Sequence, residues 1–162
     1  HTSNGRNEST AEHTWRLALL ALVFEDELKH LNFSRVLKMC LVHDLGETIN
    51  GDIPATEKQN HPDKDIQERN DLLFLTQSLD EPLRSSLLGL WEEYETGQTE
   101  EAIAVKALDK LETILQHNQG INPEDFDYEF NLTYGEKYTN KHPLFQSIRT
   151  ILNEETLQKI NR

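Results

Sequence analysis

The chain has 162 residues, 36% of them hydrophobic, which suits one domain with a core of its own and calls for no disulfide scaffold. Its formal charge of -13 argues against nucleic-acid polymers and anionic membranes as partners, because both bind basic faces. The single cysteine, Cys40, lies in the apolar run Met39-Cys40-Leu41-Val42 and reads as a core residue in a reducing compartment, so the cytoplasm is the expected location.

No apolar run approaches the roughly 20 residues of a membrane span. Nearly every segment instead carries helix signals, and none shows sustained period-two alternation between hairpin turns, so the fold class is all-α. Ser9-Thr10-Ala11-Glu12 fits a capping box, predicting a helix from Ser9 to about Lys29 with His13 in its first turn. Its remainder, Leu17 to Phe24, is continuously apolar and should be central. Ser34 suits the N-cap of a second helix through Leu45, closed by Gly46 or by the turn-rich Asn50-Gly51-Asp52-Ile53-Pro54.

A third helix is expected from Pro62 to Leu79, and a fourth from Asp80-Glu81-Pro82 to about Tyr94. A fifth, from Glu100 to Asn118, shows one apolar stripe of Ala104, Leu108, Leu111 and Leu115, with Gly120 as its stop. Pro123 to Tyr138 is acidic and aromatic with weak periodicity, and Pro143 opens a final helix.

The second helix is apolar nearly all round, so His43 and Asp44 at its end should be buried whichever way it faces. An unpaired buried carboxylate costs several kcal/mol on roughly the scale of ion desolvation, so Asp44 needs a cation or a strong donor. One divalent metal would satisfy both side chains, and mixed nitrogen and oxygen donors are what such ions accept. His13 and Asp109 can complete the set. Each also has a plainer reading: His13 as a hydrogen-bonded core histidine, Asp109 as a partner of Lys106 or Lys110 on its own helix.

The ordered set Glu8-Ser9-Thr10-Ala11-Glu12-His13-Thr14-Trp15, His43-Asp44 with Glu47 and Gly51-Asp52-Ile53-Pro54, and Leu108-Asp109-Lys110-Leu111-Glu112 resembles the HD-domain superfamily of metal-dependent phosphohydrolases. It is most similar to the 5'-deoxynucleotidase branch, which shares the pattern after the His-Asp pair and a segment like Trp91-Glu92-Glu93-Tyr94-Glu95. The resemblance implies a single HD domain over residues 1–162, with a further N-terminal helix and Arg-aromatic pair of the family lying ahead of the chain shown. It implies one divalent ion (Mn, Co, Mg, Zn, Ni or Fe) held by His13, His43, Asp44 and Asp109, a nucleotide or other small phosphate ester as substrate, and a homodimer.

The implied reaction removes the 5'-phosphate of a deoxynucleoside monophosphate by water activated at the metal, which also supplies the positive charge an acidic chain lacks. Glu47 would protonate the leaving oxygen or orient the water, Asp52 would contact water or sugar, Arg6 would bind phosphate and Glu93 would face the substrate. The plainer alternatives are a helix-terminal Glu47, an Asx-turn at Asp52 beside Gly51, a solvated Arg6, and a solvated acidic face at Glu93. Three other functions compete: hydrolysis of a nucleoside triphosphate or signalling nucleotide, a non-catalytic metal- or nucleotide-binding module, and an acidic helical domain for protein contact with the four candidates scattered.

Overall fold

The computed structural model describes residues 1–51 and 62–161, and among these there are helices and turns but no strand. The helices are α1 (Thr10–Val23), α2 (Phe33–Val42), α3 (Glu47–Asn50), α4 (Lys64–Leu75), α5 (Glu81–Thr96), α6 (Glu100–Gln119), α7 (Glu136–Thr139) and α8 (Pro143–Ile160), with a 3-10 turn at Glu129–Leu132. None of the described helices is long and apolar enough to cross a membrane.

Helix α6 is the axis of the fold. It packs against α1, α2, α5, α7 and α8, so Ala102, Val105, Leu108, Leu111 and Ile114 are all buried, together with polar Asp109 and Glu112. The single stripe expected from the sequence undercounts this, because a helix enclosed on all sides buries polar residues as well as apolar ones. Leu17, Val36, Met39, Leu108, Leu111 and Ile114 have no exposed surface, and burying each such side chain is worth about 1.5–3 kcal/mol.

Helix α1 begins as its capping box predicts: Ser9 accepts from the Glu12 backbone, and the Glu12 side chain accepts from the Ser9 backbone. It stops at Val23, short of the expected Lys29. Glu25, Asp26 and Glu27 would add negative charge to the negative end of the helix dipole, and the chain instead turns so that buried Leu28 donates back to the Phe24 and Glu25 carbonyls. The apolar run of α1 is also not wholly central. Leu17 and Ala21 are buried, whereas Trp15, Leu19, Leu22 and Val23 are exposed on its outer side.

Helix α2 is capped by Asn32, which accepts from the Arg35 backbone at 3.2 Å, so Ser34 falls inside the first turn. It ends at Val42 rather than Leu45, because the next turns tighten: Leu45 donates to Val42 and Glu47 to Asp44, each at 3.0 Å and three residues back. Glu47 therefore opens α3 rather than continuing α2. At this break Gly46 admits α4, since a Cβ there would lie 2.4 Å from the Glu68 carbonyl oxygen. Helix α4 runs Lys64–Leu75 inside the expected Pro62 to Leu79, and Thr76 closes it by donating its hydroxyl to the Leu72 carbonyl.

The remaining boundaries follow the sequence closely. Helix α5 carries proline in its first turn and ends at Gly97 in left-handed conformation. Helix α6 is capped by Thr99, and α8 begins at Pro143. A glycine with φ of +75°, Gly135, brings the turn before α7 against Lys110, where a Cβ would sit 2.5 Å from that side chain.

Candidate metal centre

Four side chains from three places in the chain meet where α1, α2 and α6 pack together. His13 comes from the first turn of α1, His43 and Asp44 follow α2, and Asp109 lies on α6. His13 Nε2 is 3.2 Å from Asp109 Oδ1 and 3.5 Å from Asp44 Oδ2, and His43 Nε2 is 3.0 Å from that same Asp44 oxygen. One donor atom each from His13, His43 and Asp109 lies within 4.8 Å of the others, a spacing that one ion can bridge. The candidates are gathered, not scattered.

The outer atoms of these side chains are already engaged, which fixes the atoms facing inward. The Nδ1–H of His43 donates to the Cys40 carbonyl at 2.9 Å. Its Nε2 is buried and faces Asp44 Oδ2 at 3.0 Å, without the alignment of a well-formed hydrogen bond to any of the described residues. A buried nitrogen and a carboxylate oxygen set edge to edge in this way are a pair that a cation can join. His13 Nδ1 lies 2.7 Å from Glu112 Oε2, leaving its Nε2 inward. Asp109 Oδ2 receives the Tyr94 hydroxyl and the Lys110 ammonium, each at 2.7 Å, leaving Oδ1 inward. Two imidazole nitrogens and two carboxylates fit a divalent ion of borderline or hard character.

The charges agree with that arrangement. Burial works to raise both carboxyls. The charge and hydrogen bond of His43 nevertheless bring Asp44 below the usual range, and Lys110 with the His13 hydrogen bond brings Asp109 well below it. Burial lowers His13, but its bonds to Asp109 and Glu112 and the field of Asp44 outweigh this and raise it to about 11. Without a cation the imidazolium is the counter-charge, so an incoming ion displaces a proton. Tyr94 is pushed well above the phenolic range by burial and by Asp109, and so stays a donor. Cys40, raised to about 12 by burial and by Asp109, is an inert core thiol.

Asp109 pairs with Lys110, as its plainer reading has it, while its other oxygen faces His13. Glu47 is 8% exposed and accepts from Lys64 Nζ at 2.8 Å. Lys64 also reaches Glu68 at 2.8 Å, and these two carboxylates raise its ammonium above the usual range against the opposing effect of burial. Arg6 is about half exposed and bonded to Glu12, with one contact at 2.8 Å. Glu93 accepts from Arg35 at 2.6 Å and from the Thr99 hydroxyl at 2.7 Å, tying α5 to α2 and to the start of α6. Asp52 lies outside the described residues.

Sequence reasoning missed Tyr94, Glu112 and Lys64 as supports of the site. Glu112 was within reach, because it stands three residues after Asp109 and so shares its helix face. Tyr94 lies within the Trp91 to Glu95 segment, but its contact with Asp109 depends on how α5 crosses α6.

Comparison with known proteins agrees with the geometry. A family model described as HD domain matches residues 1–149. The chain is 44% identical over 112 residues to "5'-deoxynucleotidase HDDC2" of Bos taurus, covering 69% of this chain and 54% of that one. It is 35% identical over 156 residues to the protein of the same name in Danio rerio, covering 94% and 76%. The chain thus spans about half the length of the bovine relative and three quarters of the zebrafish one. Among solved structures, a predicted metal-dependent phosphohydrolase from Magnetospirillum magnetotacticum superposes with a TM-score of 0.74 at 25% identity, covering 94% of this chain and 81% of that one. With a histidine, a His-Asp pair and a distant aspartate drawn to one point, and with the family model matching nearly end to end, the chain belongs to the HD-domain family.

Proposed function

We propose that the chain is a metal-dependent phosphomonoester hydrolase that removes the 5'-phosphate from deoxynucleoside monophosphates, with His13, His43, Asp44 and Asp109 as the ligands of one divalent ion. The observation that carries this is the convergence of those side chains: donor atoms of His13, His43 and Asp109 lie within 4.8 Å of one another, and Asp44 Oδ2 lies 3.0 Å from His43 Nε2 and 3.5 Å from His13 Nε2. The relatives named 5'-deoxynucleotidase support the substrate class. An ion of the Mn, Co, Mg, Zn, Ni or Fe type supplies, when bound, positive charge against the phosphate and acidifies water for attack on phosphorus.

The chain's own residues do the rest. Tyr94 and Lys110 hold Asp109 so that only one of its oxygens faces inward. Lys110 also adds positive charge beside the centre, which an acidic protein needs to admit a phosphate. Glu47, which accepts from the Lys64 ammonium at 2.8 Å, orients the water or protonates the leaving oxygen. Arg6 reaches a phosphate only by leaving Glu12, so its role is an exchange of one anion for another. Glu93 acts through the wall it braces with Arg35, and to Asp52 we assign a contact with water or sugar. The buried thiol of Cys40 suits a reducing location, the cytoplasm.

The test is phosphate release from deoxy- and ribonucleoside monophosphates and from nucleoside triphosphates, after chelation and re-addition of single metals. Release from deoxynucleoside monophosphates should return with metal and fall by at least about 10²–10³-fold in Asp109→Ala, the scale of losing a main electrostatic element. Activity that survives chelation, or survives Asp109→Ala, would overturn the metal reading. Release from triphosphates alone would overturn the substrate class.

A further inference from the structure

A second cluster of acidic and histidine side chains lies directly behind the metal centre: Glu8, His13 and Glu112 also bring one donor atom each within 4.8 Å of the others. The two clusters share His13, which cannot serve a cation through both ring nitrogens while its ring carries a proton on one of them. We propose that this second cluster binds no ion, and that Glu112, clamped by Arg16, is the positioning residue that fixes His13 as a ligand by taking its Nδ1–H. The proposal rests on the reading of His13, His43, Asp44 and Asp109 as ligands.

Three observations support it. The first is the division of Glu112's oxygens: Oε2 lies 2.7 Å from His13 Nδ1, and Oε1 receives the Nε of Arg16. Its side chain is only 1% exposed, so a carboxylate there has to be compensated, and Arg16 with His13 does so completely. A metal between Glu8 and Glu112 would have to expel the guanidinium that already lies 3.8 Å from Glu8. Arg16 is held from its far side as well, donating to Gln119 Oε1 at 3.3 Å.

The second is the register. His13 and Arg16 are one turn apart on α1, and Asp109 and Glu112 are one turn apart on α6. The helices therefore meet as a ladder in which His13 touches Asp109 on its inward edge and Glu112 on its outward edge, while Arg16 caps Glu112. Rotating the imidazole would break both rungs.

The third is the contrast between the two histidines. His43 rests its Nδ1 on a neutral backbone carbonyl, whereas His13 rests on a carboxylate. A carboxylate partner makes an imidazole a stronger donor to a metal, and losing such a partner typically weakens metal affinity by 10–100-fold. His13 also sits in the first turn of its helix with its side chain about one-seventh exposed, while the His43 side chain is fully enclosed. The ring with less packing around it is the one given the stronger hydrogen bond.

The experiment is a Co²⁺ titration followed by visible absorption, with a competing chelator to read affinity, on the whole chain and on Glu112→Gln, Arg16→Gln and Asp109→Ala. Metal-free melting is recorded for each. The wild type should take up one Co²⁺, Asp109→Ala should bind it too weakly to detect, and Glu112→Gln should bind about 10–100-fold more weakly with an altered spectrum and a near-normal metal-free melt. Arg16→Gln should fall between wild type and Glu112→Gln. Wild-type affinity in Glu112→Gln would overturn the proposal. So would a loss that merely tracks a lower metal-free melt, or a second Co²⁺ per chain that Glu112→Gln removes. If wild type and Asp109→Ala bound Co²⁺ identically, the ligand set itself would be wrong, a different failure.

Discussion

Helix α6 carries two buried polar networks, and they handle burial in different ways. At its C-terminal end the groups are amides, a hydroxyl and an imidazole: Asn118 donates to the Leu152 carbonyl and accepts from Thr156, each at 3.0 Å, and His117 bonds Asn131 at 2.8 Å. Near its middle the groups are ionic, with Asp109, Glu112 and Lys110 of α6, His13 of α1 and Asp44 of the turn after α2 in contact. Neutral networks of the first kind tie α6 to α8. A network of the second kind costs several kcal/mol per buried charge unless it is compensated, and it sets His43 Nε2 against Asp44 Oδ2 at 3.0 Å without an aligned hydrogen bond. The difference separates a structural network from a site: the first leaves only a neutral amide nitrogen, that of Asn131, short of a partner, whereas the second turns imidazole nitrogens and carboxylate oxygens toward one another.

Substitutions can break this comparison, and the largest effect on folding is expected at the neutral end. Asn118→Ala removes both hydrogen bonds, while the Thr156 hydroxyl keeps its bond to the Leu152 carbonyl at 2.9 Å, so denaturant melts should show a loss of about 1–3 kcal/mol, the net worth of two hydrogen bonds, while Co²⁺ affinity stays at the wild-type level. An equal loss of metal affinity would mean the two networks are one. Next in size, Tyr94→Phe keeps the packing of the ring but frees Asp109 Oδ2 from one of its two donors. Metal affinity should fall by about tenfold, the lower end of what removing such a partner costs, with little change in the metal-free melt.

The smallest effect is a pH dependence. Burial lowers the His117 imidazole below its ordinary value, with the Asn131 bond opposing. A group whose folded value is depressed contributes stability that is present above the unfolded value, about 6.5, and is lost as pH falls through the folded value. Urea melts at pH 7 and pH 5 should therefore differ less in His117→Gln than in the wild type. An unchanged difference would remove His117 from the acid sensitivity of the fold.

The sequence was most informative where local chemistry acts alone. The Ser9–Glu12 capping box and the proline openings of α5 and α8 sit where their residue types require. The set of His13, His43-Asp44 and Asp109 was legible through its resemblance to the HD-domain superfamily, with burial arguing only that His43 and Asp44 need a partner. The end of α1 was not, since an apolar run outvoted three acidic residues at the wrong end of a dipole. Nor was the outward face of Trp15, Leu19, Leu22 and Val23, because an apolar helix does not reveal which side its neighbours take. The supports of the site were hidden for a related reason: Tyr94 and Lys64 reach Asp109 and Glu47 across helix crossings, and the one that admits α4 depends on the missing side chain of Gly46.

The most direct test of the central claim is a crystal soaked with Zn²⁺ and measured at the zinc absorption edge. The account predicts one anomalous peak about 2.0–2.2 Å from His13 Nε2, His43 Nε2 and the inward oxygens of Asp44 and Asp109, with Glu112 still bound to Arg16. A peak between Glu8 and Glu112, or no peak among the four proposed ligands, would contradict it.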